Sequence, residues 1–109
     1  MVETIQATVE FESIGTATEI LGGTQANFVV HRPGQHGKEV AVVLNVPAAT
    51  YAAKAVGVAD TPEFQESATR RLGQAWLERV LARGEHADSV VFLSRAILER
   101  EPGLIDALR

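Results

Sequence analysis

Two of the three histidines in this 109-residue chain fall in one short segment, His31-Arg32-Pro33-Gly34-Gln35-His36-Gly37-Lys38, beside an arginine, a lysine and two glycines. Glycine-rich backbone can present N–H groups to an anion, and arginine and lysine can donate to a phosphate or carboxylate. Arg32, His36, Lys38 and His31 are therefore the candidate ligand-binding residues, and the ligand class is a small anion. The segment is not a nucleotide-binding P-loop. Its glycines stand too close together, and Glu39 follows the lysine where that motif needs Ser or Thr. A hairpin tip needs the same residue types for turn geometry alone. His31, His36 and Glu39 are ligand-type side chains, but their spacing matches no metal motif, so neither a metal nor a cofactor is expected.

No other group of residues assembles a catalytic set. The chain has no cysteine, which removes thiolate chemistry, disulfides and sulfur-ligated zinc. Ser13, Ser67, Ser89 and Ser94 sit outside any nucleophile-elbow pattern. Glu10 and Glu12 would share one strand face about 7 Å apart, a spacing suited to paired-carboxylate work only if buried. Glutamate alternating with apolar residues reads instead as a wet face that also guards a sheet edge. In Glu85-His86-Ala87-Asp88 the aspartate reads as a helix cap.

The elements that must position these residues follow from pattern. Ile5, Ala7, Val9 and Phe11 alternate with polar residues as a half-buried strand, with a turn expected at Ser13-Ile14-Gly15. Thr16 to Leu21 reads as a shorter β-prone piece ending at Gly22-Gly23, and Thr24 to Arg32 as another alternating strand. Lys38 to Val46 is the most apolar strand and belongs at the sheet centre. Pro47 and Gly57 bracket a short alanine-rich helix. Asp60 or Thr61 caps a long helix to about residue 83, whose stripe is Phe64, Ala68, Leu72, Trp76 and Val80 with Leu77 and Leu81. Glu66 and Arg70 are spaced as an ion pair on its opposite side. Val90 to Leu93 alone would read as a strand. Ala96, Ile97 and Leu98 continue a helical period from Leu93, so a helix is expected over residues 89 to 100. Leu104, Ile105 and Leu108 form a last apolar segment that packs on the body or on a partner chain.

The fold expected is one α+β domain over residues 1–109, a small antiparallel sheet of three to four strands in the N-terminal half packed by two to three C-terminal helices. Ala52 to Val58 resembles the first helix and turn of a helix-turn-helix motif through Ala53 and Gly57, but Pro62, Glu63 and Glu66 then stand where a recognition helix would meet phosphate. The run from Leu72-Gly73 to Pro102 resembles a single tetratricopeptide helix pair with wrong spacing. One copy cannot bury its faces, so only a helix hairpin is taken from it.

A net charge of −4 gives no general attraction for nucleic acid, leaving only a local patch at Lys54 and Arg70-Arg71 for a nucleic-acid-binding regulator. Glu3 stands where a secretory leader needs basic residues, and no apolar run approaches the length of a membrane span, so a cytoplasmic protein with no membrane partner is expected. The apolar surplus points to a homo-oligomer or a protein partner. The sequence thus suggests a non-catalytic interaction or regulatory module, and as the alternative a binding domain or enzyme using the His31 to Lys38 loop.

Overall fold

A computed structural model of the chain describes residues 7–16 and 22–109. Ile5, and residues 17–21 of the expected second β-prone piece, lie outside the described residues. The elements run β1 (Thr8–Thr16), β2 (Thr24–His31), β3 (Lys38–Leu44), α1 (Val46–Val56), α2 (Pro62–Ala82), β4 (Val90–Leu93), α3 (Arg95–Arg100) and a final 3₁₀ helix (Pro102–Leu108). The class is α+β, with a four-stranded sheet in the order β1-β2-β3-β4. The first three strands form an antiparallel meander, and β4 joins β3 in parallel. Parallel neighbours cannot be joined by a tight turn, and here α1 and α2 supply the crossover.

The alternation along β2 is strict: Ala26, Phe28 and Val30 are buried while Gln25, Asn27 and Val29 are half-buried. Cross-strand register carries this inner face through the sheet, from Val9 and Phe11 of β1 to Val40, Val42 and Leu44 of β3 and to Val91 and Leu93 of β4. The turn expected at Ser13-Ile14-Gly15 does not form. Glu12 is an extra residue in a bulge between Phe11 and Ser13, and β1 continues to Thr16. The bulge shifts the alternation by one, which lets Ile14 join Val9 and Phe11 against the core.

Helix α1 starts at Asn45, whose side chain accepts from Ala48 N at 2.9 Å, and stops at Gly57 with φ +73°. Thr61 caps α2, accepting from Phe64 N at 3.1 Å. Asp60, the other candidate cap, instead accepts from Thr50 Oγ1 and Gln65 Nε2, tying the middle of α1 to the first turns of α2. Helix α2 lies on the sheet so closely that a Cβ on Gly73 would sit 2.8 Å from Phe28 Cε2. Leu72 and Leu77 are fully buried, and Phe64 and Trp76 sit half-buried at the rim. Burial of one such leucine contributes roughly 1.5–3 kcal/mol.

The expected helix over 89–100 is corrected. Val90 to Leu93 is strand β4, and the helix begins only after Ser94, whose hydroxyl accepts from Ile97 N at 3.3 Å. β-Branched and aromatic residues fit a pleated surface beside β3, and that tertiary pairing overrides a helical period read locally. The helix hairpin taken from the tetratricopeptide likeness is therefore not formed, and α2 is packed on the sheet rather than presented as a recognition helix. Leu104 and Ile105 are buried, with the 3₁₀ helix packed against α2, so this segment completes the chain's own core. Among the described residues no helix is long and apolar enough to cross a membrane.

Candidate functional site

The segment between β2 and β3 forms a tight reversal. Gln35 N donates to Arg32 O at 3.1 Å, Pro33 and Gly34 take the central positions, and Gly34 has φ +72°. Proline followed by a positive-φ glycine is the signature of a type II turn, so Gly34 is accounted for by backbone geometry. The four predicted binding residues do not converge on one empty space. Arg32 Nη2 donates to Glu85 O at 2.6 Å, and Lys38 Nζ donates to Ala87 O. Both cations thus hold carbonyls of the connection that delivers β4. His31 Nε2 lies 3.3 Å from Glu10 Oε1 on the outer sheet face, and His36 is exposed at the tip. Among the described residues, no three His, Asp or Glu side chains come together as a metal group.

Other sequence candidates separate too. Glu10 sits with His31, whereas the bulge carries Glu12 to a concavity of about 400 Å³ lined also by Ser13, Asn27, Glu39, Ala41 and Ser89. Its walls offer two carboxylates and neutral polar groups, which does not suit an anion. Arg70 does not pair with Glu66. Its guanidinium instead lies 4.2 Å from the centroid of the Phe11 ring, an arrangement in which the cation meets the negative face of the aromatic.

Sequence reasoning missed a feature of the sheet's other face, which no helix among the described residues covers. Register places three rows across it: Glu10, Val29 and Glu39; then Ser13, Asn27, Ala41 and Val90; then Gly15, Gln25, Val43 and Phe92. The second and third rows become apolar toward β4, with Val43 itself buried, whereas the first ends on Glu39. On the β1 side the polar groups satisfy each other, with Asn27 Nδ2 donating to Ser13 Oγ at 3.0 Å and Gln25 Nε2 donating to Asn27 Oδ1 at 2.9 Å. On the β4 side Val90 is 47% and Phe92 56% exposed.

β4 is also the edge of the sheet, and its backbone follows the same division. Ala41 N donates to Ser89 O at 2.9 Å, which fixes the phase of the parallel ladder. Ser89, Val91 and Leu93 then turn their N–H and C=O groups toward β3, and Val90 and Phe92 turn theirs outward. Among the described residues no strand pairs with these outward groups, and the two residues that carry them are the two with exposed apolar side chains. Period-two reading of Val90 to Leu93 would have found this, because an apolar residue at every position makes both faces of an edge strand apolar.

Comparison with known protein families, curated proteins and solved structures finds no match.

Proposed function

We propose that the chain is a non-catalytic interaction module that associates with a second copy of itself through the β4 edge and the apolar part of the helix-free sheet face. The observation that carries this reading is the coincidence, at Val90 and Phe92, of free backbone hydrogen-bonding groups and exposed apolar side chains. An edge of this kind is a template for strand addition. Antiparallel addition of β4 to β4 would continue two four-stranded sheets into one of eight and bring the exposed Val90 and Phe92 side chains of the two copies together on one face. It would also set the Asp88 end of each strand beside the Arg95 end of the other. The anionic-ligand alternative ranks second because Arg32 and Lys38 already hold protein carbonyls.

The test is light scattering on the chromatographed protein at micromolar concentration. The expected mass is twice the 11.7 kDa of the chain, falling to one chain for Phe92→Glu with an unchanged amide spectrum. A native protein that elutes as one chain throughout that range would end this reading.

A further inference from the structure

A second surface, remote in character from the β4 edge, has the chemistry of a small-molecule site. Where the end of α1, the first half of α2 and the 3₁₀ helix meet, a cleft of about 350 Å³ is lined by Val56, Val58, Phe64, Ala68 and Leu108, with Ser67, Arg71 and Arg109. That volume lies within the roughly 300–1,000 Å³ common to ligand pockets. Ala68 lies fully buried beneath the cleft, so the apolar surface open to a ligand is that of Val56, Val58, Phe64 and Leu108. Apolar side chains reach the cleft from three separate elements. Val58, in the connection after α1, adds an apolar side chain that is 50% exposed.

The polar part of the lining has one sign. Arg71 is within salt-bridge distance of no acid among the described residues, and Arg109 meets Asp106 only through its Nε at 3.5 Å. No Asp or Glu side chain lines this cleft, and Asp106 is the carboxylate beside Arg109. The neighbouring cleft, lined by Phe11, Ile14, Arg70 and Glu66, shares Ser67 and Arg71 with this one and differs in carrying a carboxylate. In a chain of net charge −4, two guanidinium groups beside an apolar floor are a local reversal of sign. Guanidinium is the group that matches a carboxylate in two parallel hydrogen bonds, and Ser67 can add a third donor.

We infer that this cleft binds an amphipathic monocarboxylate, its hydrocarbon or aryl tail laid over Ala68 between Phe64, Val56 and Leu108 and its carboxylate held by Arg71 and Arg109. Apolar contact supplies the burial and the arginines supply the selection of head group. An uncharged tail of the same length fills the floor but leaves the guanidinium groups in water, so it binds more weakly. Inorganic phosphate meets the arginines and gains nothing from the floor.

The experiment is an amide chemical-shift titration of the full chain with three probes: octanoate, octan-1-ol and inorganic phosphate. Octanoate is expected to shift Val58, Ser67, Arg71 and Leu108 and to bind about tenfold or more tightly than octan-1-ol, the margin expected when a hydrogen-bonded charge is lost. Arg71→Met should remove that preference while leaving the octan-1-ol affinity unchanged. Val58→Asp, at an exposed position that the core does not use, should weaken both. Equal binding of acid and alcohol, phosphate as effective as octanoate at the same amides, or no shift with any probe up to millimolar concentration would each overturn the inference. Because the amides concerned are not those of β4, the result is independent of whether the protein self-associates.

Discussion

The two edges of the sheet are built on opposite principles. β1 carries a bulge at Glu12, outward glutamates at positions 10 and 12, and an arginine laid over Phe11, so its free side is twisted, charged and partly capped. These are devices by which natural sheets discourage pairing with another strand. β4 has none of them within Val90–Leu93 and is limited only by its length of four residues. One edge carries charge and a bulge and the other carries neither, which is why the β4 edge is the one proposed to pair.

The largest test of the contrast concerns how deeply each edge is rooted. Leu93 is fully buried against the core, whereas Val9 is only partly so. Leu93→Ala should lower unfolding free energy by about 2–5 kcal/mol, and Val9→Ala by about 1 kcal/mol, both read from urea unfolding. Equal costs would mean that β4 is no better anchored than the edge it is contrasted with.

The next effect is smaller. Lys38 and Arg32 hold the 85–87 backbone that leads into β4, so Lys38→Met and Arg32→Met should each cost about 1 kcal/mol and speed hydrogen exchange of the β4 amides while leaving β1 unchanged. At the other edge, Arg70→Ala should cost about 0.5–1 kcal/mol through loss of the contact over Phe11. Finally, Glu10→Val with Glu12→Val should change folding stability by no more than about 0.5 kcal/mol, as surface substitutions do. Its effect should fall on solubility, raising the apparent mass in light scattering, because it strips β1 of its charge. A double variant that stays as soluble as the parent would show that the bulge alone protects that edge.

The elements with strong local signals were legible in the sequence. The period of two in β2, the Pro47 and Gly57 brackets of α1, and the Thr61 cap with the Leu72 and Leu77 stripe of α2 each express a local rule that the packing then reinforces. Failure came where the deciding partner is distant in sequence. The bulge at Glu12 shows only in the register against Asn27 and Phe28, and Val90 to Leu93, which alone reads as a strand, is outweighed in the sequence by the helical period that follows it until its pairing with β3 is seen. The loop at His31 to Lys38 drew attention as a cluster of cations, and the structure spends two of them on carbonyls some fifty residues away, at separations of 53 and 49. The apolar cleft beside Arg71 gathers residues from α1, α2 and the chain's last helix and has no sequence signature at all.

The parallel seat of β4 beside β3 also orders events in time. The meander β1-β2-β3 joins neighbours in sequence, whereas β4 can reach its place only after α1 and α2 have bridged the sheet, and such distant closures carry the larger entropic cost. β4 should therefore dock late, after the rate-limiting barrier, and Val91→Ala should accelerate unfolding in stopped-flow measurements while leaving refolding nearly unchanged. Until that docking occurs, the edge of β3 stands open through the backbone of Ala41 and Val43, and a nascent or heat-stressed chain is most vulnerable to mispairing there, at a strand that the finished molecule hides between two others.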